Sequence, residues 1–210
     1  LARVPDLRAV IFDIGGVVVG SPLHAIAQYE RDLGIIPGVV NRVVVDTGPT
    51  GGWSRLERGE LTLDAFYPVF EADCAGVGAT IDAREMMRRV GESTVPRPVM
   101  IEAIRRIRAA GLKAGALTNN WITEDAGTGV LKPYFDAFVE SAVVGWRKPD
   151  PRIYELVCRE LDVTPPQAAF LDDIGTNLKS ARALGMTTIK VDDPDTALAE
   201  LERHLGLTLR

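Results

Sequence analysis

Cysteine is nearly absent from this 210-residue chain. Cys74 and Cys158 lie far apart with no ligand-like spacing, which excludes a disulfide framework and gives a zinc site no support. The two thiols are expected to be packing groups in a reducing, cytoplasmic setting. Long hydrophobic runs are missing too, and the most apolar stretch is interrupted by Asp13, so no membrane span is expected. Basic charge is in deficit: 24 Lys and Arg stand against 29 Asp and Glu, a net charge of −5. With no basic run and no aromatic-basic alternation, nucleic acid and anionic membrane surfaces are not expected partners. Internal repeats and low-complexity tracts are absent. The N-terminus shows no signal-peptide pattern and no methionine, so the expectation is a trimmed end or a cut from a longer chain. Oligomeric state leaves no readable trace.

What is there begins with Ala9 to Gly20, AVIFDIGGVVVG. An apolar run enters Asp13 and is followed at once by two glycines, as when a buried parallel strand ends at a functional loop. Ligands bind beyond the carboxyl ends of strands in open α/β sheets, where a charge has a chemical use. Within a strand the same charge would be costly to bury. Gly15 and Gly16 permit a tight turn and offer backbone N–H groups to an anion.

From Pro22 to about Pro96 the pattern is helical or loop only, with helices expected near Pro22 to Leu33, Pro37 to Val45, Gly52 to Arg58, Thr62 to Asp73 and Ile81 to Gly91. Thr62 reads as an N-cap. Strands and helices then alternate: a helix from Pro98 to Ala110, a strand from Leu112 to Leu117, and a strand from Phe135 to Glu140. The loop Ser141 to Pro151 follows, then a helix from Arg152 to Leu161, a strand from Ala168 to Leu171, a helix from Asn177 to Leu184, a strand from Thr187 to Val191, and a helix from Thr196 to Leu205. This rhythm predicts an α/β protein, a Rossmann-like three-layer core with a parallel sheet of about five strands, plus an inserted α-helical cap. The expected division is residues 1–20 and 97–210 for the core and 21–96 for the cap.

Polar residues cluster where these strands end: Asp13, Thr118 and Asn119, Lys148 in its loop, and the pair Asp172 and Asp173. Taken singly, each is an ordinary turn, cap or surface residue. Brought to one rim, three carboxylates would repel unless a cation lay between them. Oxygen donors without His or Cys suit Mg²⁺, which keeps several waters and shares its site with phosphate. Lys148 and Thr118, with the Gly15 and Asn119 amides, could hold the other side of that phosphate.

FDIGGV, LTNN, RKPDPRIY and FLDDIGTN, in that order, resemble the four motifs of the haloacid dehalogenase-like (HAD) superfamily, and the helical insert resembles its subfamily I cap. ERGELTLDAF and IKVDDPDTALAELE further resemble the HAD-like domains found in soluble epoxide hydrolases and in acyl-CoA dehydrogenase family proteins. The resemblance implies a Mg²⁺-dependent phosphomonoesterase acting on a small phosphorylated substrate through an aspartyl-phosphate. Asp13 would be the nucleophile and Lys148 the cation orienting it; Gly15, Gly16, Thr118, Asn119 and Lys148 would bind the phosphate. Asp13, the Gly15 carbonyl, Asp172 and Asp173 would surround the metal.

One position departs from that pattern: where phosphatases of the family carry a second aspartate that protonates the leaving group, this chain has Gly15. The alternatives are turnover restricted to good leaving groups, a proton supplied by His24, Asp46 or Glu57, or a catalytically silent phosphate- and metal-binding module. A haloacid dehalogenase also lacks the second aspartate, but it needs no metal, and the Asp172–Asp173 pair speaks for one. Phosphonate hydrolysis through a cap lysine is not expected, because no lysine occurs between Gly20 and Pro96. Trp53, Phe66, Tyr67 and Phe70 either line a lipid-accepting cleft or form core.

Overall fold

The computed structural model describes residues 6–123 and 127–210. β1 (Ala9–Phe12) is buried at every position, which suits a central strand covered on both faces. It pairs in parallel with β2 (Lys113–Thr118) on one side and with β4 (Ala168–Asp172) on the other. β3 (Ala137–Glu140) adds beside β2, and β5 (Thr187–Lys190) beside β4. The resulting five-stranded parallel sheet has the order β3-β2-β1-β4-β5. Chain direction around the sheet reverses at β1, so the crevice beyond its carboxyl end is where a doubly wound sheet binds ligands.

Helices cover both faces. α6 (Pro98–Ala109) buries Met100, Ala103, Ile104 and Ile107 on one face, together with Ala197, Leu198 and Leu201 of α10 (Pro194–Leu205). On the opposite face lie α8 (Pro151–Glu160), with Ile153, Tyr154, Val157 and Cys158 inward, and α9 (Gly175–Ala183), with Leu178 and Ala181 inward. The spacing of these residues keeps them on one stripe of each helix.

Between β1 and α6 the chain forms α1 (Pro22–Asp32), α2 (Val39–Val45), α3 (Gly52–Glu57), α4 (Leu63–Ala75) and α5 (Ala83–Glu92). They share an apolar cluster of their own that includes Tyr29, Trp53, Phe66, Phe70 and Met86. Thr62 caps α4 by accepting from the Ala65 N–H, as its sequence position predicts. The chain enters and leaves this block along adjacent antiparallel segments. Val19 bridges to Pro96, and the Arg97 N–H donates to the Val18 carbonyl. A Cβ on Gly20 would stand 2.1 Å from the Ser93 carbonyl oxygen, so only glycine lets the two crossings come this close.

Observed elements differ from the expected ones mostly by one or two residues at their ends. Several short pieces were not foreseen, and two of them flank β3. α7 (Ser141–Val144) occupies the first turn of the expected β3–α8 loop and stops at Gly145, whose φ is 77°. A 3₁₀ segment, Gly127–Tyr134, inserts Leu131 into the sheet-side core. Each is a turn or two long and gains its stability from tertiary contact, leaving too little periodicity to read.

Candidate active site

Asp13 follows the last residue of β1 and is only 6% exposed. Its Oδ1 accepts from the Ile14 N–H at 2.7 Å and pairs with Lys148 Nζ at 2.8 Å. Oδ2 has no hydrogen bond among the described residues, so only one of the two oxygens is held there. The following residues make a tight turn in which Val19 N–H donates to the Ile14 carbonyl and Gly16 N–H to the Gly20 carbonyl. Gly16 thus spends its amide on the turn. Its φ is 79°, and a Cβ there would lie 2.1 Å from Asp173 Oδ2, so glycine is what allows the Asp173 carboxylate to approach the turn after Asp13. Gly16→Ala is expected to cost roughly 1–3 kcal/mol through left-handed backbone strain. It should also displace Asp173, seen as a lower melting temperature and weaker divalent-cation binding by calorimetry. Arg97 supports the turn by donating from NH1 to the Gly16 carbonyl at 2.8 Å.

β4 ends in Asp172, fully buried, whose Oδ2 receives Lys148 Nζ at 2.7 Å. Its Oδ1 accepts from the Ile174 N–H at 2.7 Å, and Asn177 Nδ2 reaches both oxygens at 3.2 and 3.1 Å. Asp172 is therefore a fully bonded pillar under the lysine. Asn177 was missed as a functional group in the sequence; its place within FLDDIGTN, five residues after Asp172 on the facing helix, was the available signal.

Lys148 is itself 1% exposed and bridges the two carboxylates. Burial alone would lower its pKa, but the carboxylates of Asp13 and Asp172 outweigh that and raise it, so it stays an ammonium ion. Asn119 fixes the lysine's backbone from both sides: Lys148 N–H donates to its Oδ1 at 2.8 Å, and its Nδ2 donates to the Lys148 carbonyl at 3.1 Å. The Asn119 side chain is thus a clamp between two loops, which leaves its backbone amide as the group able to face an anion. Thr118 closes β2 and is buried beside it, its hydroxyl 3.4 Å from the Asn119 carbonyl.

Asp13, Asp172 and Asp173 each offer an oxygen within 4.8 Å of the others. Three carboxylates against one ammonium leave two uncompensated negative charges. Burial first, and then the charges of Asp172 and Asp173, push the Asp13 carboxyl well above the usual range despite Lys148. Burial, followed by Asp172, pushes Asp173 up to about 6. The charge balance, the oxygen-only donor set and the close approach made possible by Gly16 all fit a hard divalent cation such as Mg²⁺.

Other sequence candidates fall elsewhere. His24 is exposed on the first turn of α1, near enough for its charge to act on Asp173. Asp46 is exposed at the end of α2. Glu57 Oε1 accepts from Trp53 Nε1 at 2.9 Å, and Oε2 forms an ion pair with Arg147 Nε at 2.6 Å without a hydrogen bond between those two atoms. Phe66 and Phe70 stack with centroids 5.1 Å apart inside the helical block, with Trp53 against both. These aromatics are core. Tyr67 carries Arg84 over its ring.

A model of the haloacid dehalogenase-like hydrolases matches residues 7–185, and the chain belongs to that family. Acyl-CoA dehydrogenase family member 10 of Mus musculus is 40% identical over 208 residues, 96% of this chain and 19% of its own length. Bifunctional epoxide hydrolase 2 of Sus scrofa is 36% identical over 97% of this chain and 40% of its own length. The chain thus spans well under half of either relative. A sesquiterpene phosphatase of Aspergillus oryzae is 27% identical over 95% of this chain and 97% of its own. Among solved structures, a HAD family enzyme from Bacteroides thetaiotaomicron in complex with magnesium and inorganic phosphate shares the fold, with a TM-score of 0.63 at 17% identity over 88% of this chain and 93% of that one.

Proposed function

We propose that this chain hydrolyses small phosphomonoesters with Mg²⁺, through a phosphorylated Asp13. The observation that carries the reading is the state of Asp13: Oδ1 is fixed by Lys148 and the Ile14 N–H, while Oδ2 has no hydrogen bond among the described residues. Oδ2 attacks phosphorus, the ester P–O bond breaks, and the leaving oxygen departs with its electron pair. Water then attacks the acyl phosphate, releasing inorganic phosphate and restoring the carboxylate. Lys148 holds the nucleophile and one phosphoryl oxygen, and Thr118 with the Asn119 amide receives the others. Asp13, the Gly15 carbonyl and Asp173 would hold the cation, with Asp172 in or beside its shell. Bound there, Mg²⁺ supplies charge stabilisation for the phosphoryl oxygens. Residues 21–96 serve as a cap over this rim. The phosphatase relative of nearly equal length supports the same chemistry.

Nothing at Gly15 can protonate the leaving oxygen, and the reading therefore favours substrates whose leaving groups need no proton, such as aryl and acyl phosphates. A missing general acid costs about 10²–10⁴-fold. Gly15 has an ordinary φ of −64° and ψ of 129°, so a side chain is conformationally allowed. Its Cβ would meet the Pro22 ring at 3.2 Å, requiring a shift of a few tenths of an ångström. Gly15→Asp is expected to raise alkyl phosphate turnover by about 10²-fold or more and aryl phosphate turnover much less, with both abolished by chelator. Phosphate release from an aryl phosphate by the parent chain tests the core claim. If Mg²⁺ and a phosphate analogue bind while release never exceeds that of Asp13→Asn, the chain is a silent binding module, the reading that the glycine itself favours.

A further inference from the structure

Lys148 must hold two carboxylates at once, and the residue before it is tied to the helical block. Arg147 leaves the β3–α8 loop and meets α3: its Nε lies 2.6 Å from Glu57 Oε2, and its NH1 donates to Ser54 Oγ at 2.8 Å. The contact is enclosed, with the Glu57 side chain 8% exposed and Ser54 fully buried. Glu57 is braced from behind by Trp53 Nε1. Trp53 in turn packs edge-on against Trp121, three residues beyond Thr118, with centroids 5.7 Å apart. Just past α3, Gly59 approaches α7 so closely that a Cβ would lie 2.3 Å from the Ala142 carbonyl oxygen. One short helix thus touches both loops that hold the lysine and the phosphate-binding residues.

We propose that Glu57 is a positioning residue for Lys148, acting through Arg147, so that docking of α3 onto the core and placement of the catalytic lysine are one event. The proposal deepens the phosphatase reading and rests on it for its kinetic consequence. Glu57 holds Arg147 through charge at 2.6 Å, and Ser54 Oγ accepts from the same guanidinium, so α3 anchors Arg147 at two points. Removing that anchor frees Arg147 from α3 and leaves the Asn119 side chain as the hold on the Lys148 backbone. A displacement of about 1 Å at a catalytic group costs up to roughly 10²-fold in rate. The effect falls on kcat, since the substrate still finds Thr118, the Asn119 amide and the cation.

Glu57→Gln keeps the volume and an oxygen for Trp53 but removes the charge. With an aryl phosphate as substrate, kcat is expected to fall about 10- to 100-fold with KM within about twofold. Arg147→Gln should do the same, and the double variant should be no slower than either single one, as for two residues on one path. Independently of turnover, amide exchange at Lys148 and Asp150 should accelerate about tenfold while amides of β1 and β4 stay protected. An unchanged kcat, losses that multiply in the double variant, or exchange that is unaltered or rises equally throughout the sheet would each overturn the proposal. Should the parent chain release no phosphate, the phosphatase reading falls while the exchange result still decides whether α3 holds the lysine loop.

Discussion

Asp13→Asn is expected to lower phosphate release by roughly 10⁴-fold or more, the scale on which removal of a covalent nucleophile acts. Asparagine can still accept from the Ile14 N–H and from Lys148 through its amide oxygen, so the local geometry survives. What disappears is the second carboxylate oxygen, the one proposed to attack phosphorus. The same change distinguishes a nucleophile from a structural acid by its effect on stability. Burial raises the Asp13 pKa, so the folded state binds its proton more tightly than the unfolded state does. Linkage then requires the carboxylate to lower stability as pH rises from the unfolded value through the folded one. Asparagine escapes that loss, and the metal-free variant at neutral pH should melt no lower than the parent. Residual turnover within about tenfold of the parent would remove Asp13 from the mechanism.

Lys148→Met is expected to remove turnover and stability together. Its ammonium is the shared partner of two buried carboxylates, at 2.8 Å from Asp13 and 2.7 Å from Asp172. Methionine fills similar space but strands both charges, and deleting one partner of a buried ion pair costs about 3–5 kcal/mol. For a chain of this size that corresponds to a fall of roughly 10 °C in melting temperature. The sign of the pH dependence follows from the stranded acids. Without the lysine the folded pKa of Asp13, already raised by burial, rises further, so the variant takes up a proton as pH falls and recovers stability. The gap between parent and variant should accordingly be wide at pH 8 and narrow towards pH 5, measured by thermal melts at each pH. A gap independent of pH would show that the lysine matters for packing alone.

How far the site could be read differs from residue to residue. Asp13, Lys148, Asp172 and Asp173 were legible because each sits at the end of an apolar run or in a Gly- and Pro-bounded loop, and the parallel sheet sends all such ends to one rim. Their individual duties were not. Asp172 and Asp173 look equivalent in the sequence, yet one is saturated by Lys148, Ile174 and Asn177 and the other faces the glycine turn. Asn119 looks like a phosphate ligand, yet its side chain bonds the Lys148 backbone. The aromatics of the helical block had two readings, and centroid distances of 5.1 to 5.8 Å assign Phe66, Phe70 and Trp53 to packing.

The sequence by itself determined the alternation of strands and helices, the run of helices without strands between β1 and α6 and the set of chemical groups at the strand ends, because apolar periodicity and turn residues act over a few neighbours. Only the tertiary structure decided which oxygen of Asp13 is held, which two acids share the lysine, and that Glu57 reaches Arg147 across 90 residues. Those outcomes depend on distances between segments remote in sequence, set when the sheet and the helical block pack and each buried charge must find a partner. No local pattern encodes them.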